Sequence, residues 1–448
     1  MKLFKICIFL LTLAITEISA KSNEVQNIDD LLTSAQWNSL FPKRAGTYGV
    51  HPQGYTTDFY SYTNFKQAVI EMSDYLVQVR KKQGVWGNLI TVTIKSTNVT
   101  YIYSDVESWW YANPTPETVI NVDFEDFVNR SSAINNKREL AAFLANISKE
   151  TTGGWQQPVG GGSPGDYAQW GLYFVHELGY TTANGAGAYT AASTEYPPNP
   201  AVGYYGRGPI QLSWNYNYGQ FSKFLYNDVS ILLNNPDLLQ QDGKLAFKSA
   251  IWFWMMPQCP KPSCHQVMHN LWLTQPGEYT ANKMYKKGFA HTNNIINGGL
   301  ECRTFSGVAF TQKVILRSEL YKFYLAILGL NTAEIALENT GEFSTLCYES
   351  TTNAMTDYVN CNVQTLDIPT QSFSSLAVYP NPGGNTLFIE DKNPIKSIEI
   401  YNLLGNVVIV SQPTNPKAKI DVSNLATGIY IIKVGGDSSS TVIKWIKK

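Results

Sequence analysis

The chain has 448 residues, and its 34 Lys and Arg nearly balance 35 Asp and Glu, for a formal net charge of −1. That length allows about two or three domains with substantial cores. The charge gives no electrostatic reason to expect binding to nucleic acid or to an anionic membrane surface. Aromatic residues make up 13% of the chain and charged residues 15%. A large core with polar loops explains this composition, and a carbohydrate binder rich in stacking rings is the alternative.

Residues 1–20 are predicted to be a secretory signal peptide. Lys2 and Lys5 precede the apolar run from Ile6 to Ile15, and Ile18-Ser-Ala20 provides a small-residue cleavage site. The apolar run is too short for a stable transmembrane helix. We therefore expect a soluble, exported mature protein.

Of the six cysteines, Cys7 leaves with the signal. Export makes disulfides plausible for the others, whose odd number leaves at least one thiol outside an internal pair. We expect Cys302 to be joined to Cys347 or Cys361. A bond between Cys259 and Cys264 is a further candidate, and the pairing stays open at this stage.

Residues 21–330 predict a mainly helical body with a β-rich insertion at about 83–130. Apolar side chains around Ala68 to Met72 follow helical spacing. Within the insertion, Leu89 to Ile94 has the composition of a β-strand. Residues 246–256 are apolar nearly all round, which predicts a central helix.

The remainder of the chain changes character twice. Residues 331–370 are rich in Thr, Asn and Glu with little periodicity, and they are predicted to be a linker. From 371 to 448, short strands recur at regular spacing and predict a small β-sandwich.

Two glutamates are the candidate reactive groups. Glu150 follows the helical pattern of Leu140 to Ile147, and Glu177 precedes a segment, 204–219, rich in Tyr, Asn, Gln and Ser. Paired carboxylates beside such a segment suggest hydrolysis of a sugar polymer, in which one protonates the leaving oxygen and the other activates water. A carboxyl group at the edge of an apolar stripe is suited to act as a general acid. An ordinary solvated glutamate in a last helical turn explains the spacing of Glu150 equally well.

Six blocks of sequence follow one another in a recognisable order. They are Ala141-Ala-Phe-Leu with Lys149-Glu-Thr-Thr-Gly-Gly154, Tyr204-Tyr-Gly-Arg-Gly-Pro-Ile-Gln-Leu-Ser213, Asn215-Tyr-Asn-Tyr-Gly219, Phe247-Lys with Trp252-Phe-Trp-Met, Lys261-Pro-Ser-Cys-His265, and Asn294-Ile-Ile-Asn-Gly-Gly-Leu-Glu-Cys302. With these blocks, the regions 30–75 and 135–330 resemble glycoside hydrolase family 19, the lysozyme-like chitinases. The resemblance implies a mainly α-helical, two-lobed catalytic domain. It also implies endo-cleavage of β-1,4-linked N-acetylglucosamine with inversion and without a cofactor or metal.

The resemblance also assigns residues by position. Glu150 resembles the general acid and Glu177 the general base, and Ser213 would help to hold the attacking water. Residues implied to contact or hold substrate are Gln211, Tyr216, Asn217, Asn297 and Tyr196. Residues implied to form a charged network that holds the cleft are Lys248, Glu301 and Arg317.

Two positions depart from the family pattern. Lys149 stands where the family usually has His, and Tyr196 stands where it often has Trp. Because adjacent helical residues point about 100° apart, we expect Lys149 to face away from the site of Glu150. Tyr196 would alter a stacking platform without removing it.

The C-terminal region carries its own signature. Tyr379-Pro-Asn-Pro382, Ile400-Tyr-Asn-Leu-Leu-Gly-Asn406 and Leu425-Ala-Thr-Gly-Ile-Tyr430 precede a terminal Lys-Lys. This order resembles the type A sorting domain of the type IX secretion system. It implies a Bacteroidota-type host, passage across the outer membrane and removal of the domain on export. A carbohydrate-binding β-sandwich is the alternative.

Three functions are compatible with the sequence: an endochitinase, the same chemistry on peptidoglycan, and a non-catalytic chitin binder. Retention of Glu150, Glu177 and Ser213 together argues against the third. The expected partners are N-acetylglucosamine polymers and the export machinery, and we expect a monomer. His265 and His269 have a spacing that suits zinc, but no third ligand is evident, so we expect them to be core residues.

Overall fold

The computed structural model describes residues 28–82, 85, 87–104, 108–130, 132–152, 164–259, 261–273, 288–302, 312–338, 364–365, 376–391, 394–402, 407–413, 415–435 and 440–448. The predicted signal peptide, Cys347, Cys361 and most of the predicted linker lie outside these residues. The chain divides into two compact units, Met1–Gln364 and Thr365–Lys448. Among the described residues, no helix is both long and apolar enough to cross a membrane.

The N-terminal unit is built mainly from helices, many of which begin at a polar capping residue. Ser61, Ser132 and Asp242 each accept hydrogen bonds from backbone N–H groups of the helix that follows. The helices are α1 Ser34–Leu40, α2 Tyr62–Met72, α3 Ser108–Ala112, α4 Ala133–Glu150, α5 Pro164–Ala168, α6 Asn215–Tyr226, α7 Ser230–Asn234, α8 Leu238–Gln241, α9 Gly243–Met255, α10 Cys264–Met268, α11 Phe289–Glu301, α12 Gln312–Ile327 and α13 Thr332–Leu337.

A four-stranded antiparallel sheet interrupts the helices, in the order β3-β2-β1-β4. Its strands are β1 Tyr75–Lys82, β2 Asn88–Ile94, β3 Val99–Ser104 and β4 Glu117–Asp123. Val77 of β1 pairs with Val92 and Val122, and all three are buried, which directs one face of the sheet into the core. The β-rich region therefore begins at Tyr75, before the predicted insertion, because β1 is the strand to which both β2 and β4 pair.

Helix α9 lies in the core, as its apolar sequence predicts. Ala246, Ala250 and Trp252 are fully buried, and the Trp254 ring meets Phe143 of α4 edge-on at 5.5 Å between centroids. This contact brings the helix that ends at Glu150 onto the most apolar helix of the unit.

The packed part of the unit extends beyond residue 330. We expected a linker from residue 331, but α13 follows there and Glu338 lies next to it. Arg138 Nε donates to Glu338 Oε1 at 2.6 Å, and Tyr321 O–H donates to Oε2 at 2.8 Å. The Arg138 and Glu338 side chains are 7% and 5% exposed, so this ion pair is part of the interior.

The C-terminal unit contains two antiparallel sheets, in the orders β10-β9-β12-β13 and β11-β8-β7. Leu387 and Ile389 from one sheet and Ile398, Ile432 and Trp445 from the other belong to one buried apolar cluster. Two short strands come before these sheets in the sequence, β5 Trp272–Leu273 and β6 Gln364–Thr365. The remaining strands are β7 Ala377–Tyr379, β8 Thr386–Glu390, β9 Ser397–Tyr401, β10 Val407–Ser411, β11 Lys417–Asp421, β12 Gly428–Gly435 and β13 Ser440–Lys447.

The cysteines differ in part from expectation. Cys259 and Cys264 both remain thiols, so the candidate bond between them is not formed. Cys264 is fully buried at the start of α10, whereas the Cys259 sulfur accepts a hydrogen bond from the Gly87 N–H beside the sheet. Cys302 is disulfide-bonded, and its partner lies outside the described residues.

Candidate active site

A cleft of about 560 Å³ in the N-terminal unit gathers most of the predicted site residues. Those that line it are Glu150, Glu177, Gln211, Ser213, Tyr216, Asn217 and Asn297. Polar and aromatic side chains therefore converge with two carboxylates on one concave surface, an arrangement typical of small-molecule and polymer sites.

Glu150 is the last residue of α4, and it is held there by Arg317 of α12. An Arg317 Nη2 donor binds Glu150 Oε1, and the Arg317 Nη1 donor reaches Asn146 Oδ1 at 3.0 Å. Arg317 Nε also donates to Glu301 Oε2 at 2.9 Å, and Asn297 Nδ2 donates to Glu301 Oε1 at 2.9 Å. Arg317 thus joins the end of α4 to α11.

Arg317 and Glu301 are buried, whereas the Glu150 side chain is 18% exposed. Burial works against the charged guanidinium, but Glu150 and Glu301 outweigh it and raise the pKa of Arg317. Burial also works against the Glu301 carboxylate, but Arg317 outweighs it and lowers the pKa of Glu301. Two of the three residues predicted to form a charged network, Arg317 and Glu301, therefore form an ion pair, and Arg317 also binds Glu150.

We expected Lys149 to lie on the outside, facing away from the site of Glu150; it does not line the cleft, but it is buried, so its expected exposure is wrong. Lys149 is only 3% exposed, because side chains on both sides of α4 are buried near the end of this helix. Burial, together with the neighbouring Arg317 guanidinium, lowers the pKa of Lys149 to about 8. A titratable cation therefore lies next to Glu150 in the chain and within the same electrostatic environment.

Glu177 is fixed by contacts from the segment that follows it. Tyr189 O–H donates to Glu177 Oε1 at 2.7 Å, and Gly206 N–H donates to Oε2 at 3.2 Å. The Glu177 N–H in turn donates to the Gly206 carbonyl at 2.9 Å. Burial and the bond to Glu177 raise the pKa of Tyr189, so its phenol remains a donor. Tyr189 was not identified from the sequence.

The segment from 203 to 213 is organised around a buried arginine. The Arg207 guanidinium donates to the Gly203 carbonyl at 2.9 Å and to Tyr218 Oη at 2.9 Å, and it lies 3.6 Å over the Tyr205 ring. Gln211 has φ +52° and donates its amide to the Gly208 carbonyl at 2.9 Å. These contacts fix the backbone that presents Gln211 to the cleft.

The start of α6 supplies an aromatic surface. Trp214 and Tyr216 are each 37% exposed, and their rings are stacked at 6.1 Å between centroids with an interplanar angle of 17°. Asn217 Nδ2 donates to the Ser213 carbonyl at 2.8 Å, which closes the turn before the helix. Trp214 lines the cleft but was not identified from the sequence, although its exposure beside Tyr216 suits a sugar-stacking platform.

Two residues assigned to the site by resemblance lie elsewhere. Lys248 does not join Arg317 and Glu301: its ammonium pairs with Glu71 of α2. Among the described lysines, Lys261 lines the cleft, with its Nζ donating to the Ile295 carbonyl at 2.8 Å. Burial lowers the pKa of Lys261. Lys248 is therefore separate from the ion pair of Arg317 and Glu301.

Tyr196 is also removed from the cleft surface. It is 3% exposed, and its hydroxyl donates to the Ser104 carbonyl at 2.9 Å. Its ring lies against Gly219, where an added Cβ would come within 2.5 Å of the Tyr196 ring. Tyr196 therefore packs beneath α6 instead of forming a platform.

Glu139, which the sequence analysis did not identify, lies beside the two histidines. The ligand atoms of Glu139, His265 and His269 all lie within 4.8 Å of one another. Among the described residues, Glu139, His265 and His269 form a group whose chemistry fits a metal ion. None of the three lines the cleft.

Two carboxylates, aromatic rings and amides in one cleft fit the class of glycoside hydrolases that use a pair of carboxyl groups. The chain belongs to the class I chitinase family, glycoside hydrolase family 19, whose sequence model matches residues 116–339. The model of the secretion system C-terminal sorting domain matches residues 377–448.

Individual relatives agree with this assignment. Endochitinase A2 of Pisum sativum is 44% identical over 207 residues, which cover 46% of this chain and 58% of the relative. An endochitinase of Carica papaya is 43% identical over 209 residues, which cover 47% of this chain and 78% of the relative. The chain thus spans less than two thirds of the pea protein.

Solved structures are similar at lower identity. A bacterial family 19 chitinase is 25% identical with a TM-score of 0.40, over 67% of this chain and 96% of that one. Chitinase C from Streptomyces griseus is 26% identical with a TM-score of 0.39, over 67% and 94%. Because both TM-scores are below 0.5, the family assignment rests on the sequence matches.

Proposed function

We propose that this chain is a secreted endochitinase that hydrolyses β-1,4 linkages between N-acetylglucosamine units with inversion. The observation that carries the proposal is that Glu150 and Glu177 line one cleft. In an inverting hydrolase, one carboxyl protonates the leaving oxygen while the other activates water on the opposite face of the sugar, across about 6.5–9.5 Å.

Glu150 is the general acid in this proposal. Arg317 binds its Oε1 atom, which leaves Oε2 to carry the proton toward the leaving oxygen. Because Arg317 is itself held by Glu301 and Asn146, the acid is positioned by a network that extends into the core. Precise positioning of this kind supplies much of the rate in acid–base catalysis.

Glu177 is the general base, and Ser213 helps to hold the attacking water. Tyr189 and Gly206 orient the Glu177 carboxylate from one side. Gln211, Tyr216, Asn217 and Asn297 are proposed to contact N-acetylglucosamine units, because all four line the cleft and present amide or phenol groups.

The proposal includes the organisation of the whole chain. We propose a two-lobed, lysozyme-like catalytic domain and a C-terminal β-sandwich that acts as a type IX sorting domain and is removed on export from a Bacteroidota-type cell. The match to the sorting-domain model over 377–448 supports this role. We propose that the enzyme acts as a monomer and without a cofactor in the chemical step.

The anomer of the first product tests the catalytic proposal. The chain from Lys21 is incubated with N-acetylglucosamine hexamer, and proton NMR follows the new reducing end before mutarotation. Early α-anomer is expected from inversion, whereas early β-anomer would refute it. Absence of turnover would direct the same assay to peptidoglycan, and inactivity there as well would indicate a binding protein.

Truncation tests the sorting proposal separately. A chain ending at residue 370 should keep its activity on the hexamer but fail to reach the surface or medium of its host. The full-length chain expressed in parallel is the control. Normal export of the truncated chain would contradict the sorting role.

A further inference from the structure

Glu139, His265 and His269 come together in the interior of the N-terminal unit. Glu139 lies within α4, His265 lies in α10, and His269 directly follows α10. Their side chains are 0%, 4% and 2% exposed. Two imidazoles and one carboxylate are therefore enclosed together, away from the residues proposed for catalysis.

The carboxylate presents one oxygen to each ring. Glu139 Oε1 is 2.7 Å from His265 Nδ1, and Glu139 Oε2 is 2.9 Å from His269 Nε2. Trp254 Nε1–H and the Val128 N–H also donate to this carboxylate, at 2.9 and 2.8 Å. These two donors fix the orientation of Glu139 without competing for a metal, as the outer groups of metal sites do.

We propose that Glu139, His265 and His269 form a binding site for one zinc-like transition-metal ion. Two imidazole nitrogens and a carboxylate oxygen are a donor set that zinc accepts, whereas magnesium and calcium prefer oxygen donors. With neutral rings, the site carries one negative charge. A divalent cation would compensate that charge in the buried interior.

The three side chains must rearrange to admit the ion. Ligand atoms at about 2.0–2.2 Å from a tetrahedral zinc lie about 3.3 Å apart. The pairs at 2.7 and 2.9 Å therefore open by about half an ångström, while the widest separation among the ligand atoms, up to 4.8 Å, closes by about 1.5 Å. To bind the ion, His265 Nδ1 and His269 Nε2 must each present a lone pair. Each neutral ring does this when its single proton moves to its other nitrogen, so the ring releases no proton. The second Glu139 oxygen or a water completes the coordination.

The bound ion would act as a structural cross-link. It would join the middle of α4 to α10 and the turn after it, and α4 is the helix that ends at Glu150. Because the hydrogen bonds already satisfy the cluster, the chain folds in either state, and the ion adds stability by binding to the folded form.

Metal analysis of matched variants tests this site. The full chain, His269→Gln and His51→Gln are produced in zinc-supplemented and zinc-depleted medium, so that the enclosed site can fill during folding. Glutamine at 269 keeps an N–H donor for Glu139 but is a poor zinc ligand. His51→Gln removes another buried histidine, whose Nε2 lies 2.8 Å from the Tyr173 carbonyl, and serves as the control. Zinc content and Tm are measured for each protein.

The expected result is about one zinc per chain in the wild type and in His51→Gln, with none in His269→Gln. Supplementation should raise the Tm of the wild type by about 5 °C and leave that of His269→Gln unchanged. Equal zinc content in the wild type and His269→Gln would overturn the proposal. So would a wild-type protein that contains no zinc after growth in supplemented medium, which would identify the cluster as hydrogen-bonded core alone.

Discussion

Substitution of Lys149 by methionine should stabilise the protein at neutral pH. Lys149 is 3% exposed and its pKa is lowered from 10.5 to about 8. The unfolded chain therefore holds the Lys149 proton more tightly than the folded chain does. Below pH 8 both states carry the charge, and the folded state bears the cost of burying it. That cost is about 3 kcal/mol, since each pKa unit corresponds to about 1.4 kcal/mol.

The sign of the pH dependence follows from the same values. Between pH 8 and 10.5 the folded Lys149 is neutral while the unfolded one remains charged, so wild-type stability rises with pH in this window. Lys149→Met should therefore raise the free energy of unfolding by about 3 kcal/mol at pH 7 and by less than about 1 kcal/mol at pH 10. Methionine also fills the space of the lysine stem, which limits any cavity.

Urea unfolding of both proteins at pH 7 and pH 10 measures this difference. Contributions from other titrating groups are common to both proteins and cancel in the comparison. Lys137→Met, on the same helix but partly exposed, is the control and should change stability by less than about 0.5 kcal/mol at either pH. A gain for Lys149→Met that is equal at the two pH values, or a loss at pH 7, would refute the reasoning.

Other substitutions test the site and the core. Glu150→Gln should retain oligosaccharide binding by calorimetry but less than a tenth of the wild-type turnover, and a faster variant would contradict the acid role. Glu177→Ala should lower the rate by about 10²–10⁴-fold, with recovery on adding azide; the absence of recovery would favour a structural role. Arg138→Leu should cost about 3–5 kcal/mol in urea unfolding by leaving Glu338 buried and unpaired, so a loss below about 1 kcal/mol would be inconsistent. Trp214→Ala should weaken hexamer binding about tenfold, and unchanged affinity would exclude a stacking role.

Local patterns predicted the parts of the structure that depend on neighbouring residues. The helical spacing before Glu150 and the apolar run of α9 each correspond to an observed helix. The sequence blocks around Gln211 and Asn217 lie at the cleft because short-range hydrogen bonds to Gly208 and Ser213 fix that backbone.

Features that depend on distant packing were not predictable in this way. Lys149 is buried because other elements cover the end of α4, whereas the angular argument assumed a single buried face. Lys248 pairs with Glu71, which lies in a helix far earlier in the chain, and no local pattern indicates that contact. The meeting of Glu139 with His265 likewise joins helices separated by more than a hundred residues.

The position of Arg317 has a consequence for the order in which the enzyme becomes competent. During synthesis, Glu150 and Glu177 emerge long before the guanidinium that holds the first of them. A nascent chain that ends after Glu301 carries both carboxylates proposed for catalysis and the Trp214 surface, yet Glu301 has no Arg317 with which to pair. Glu150 is therefore synthesised early but acquires its ion-pair partner late, when α12 docks against α4.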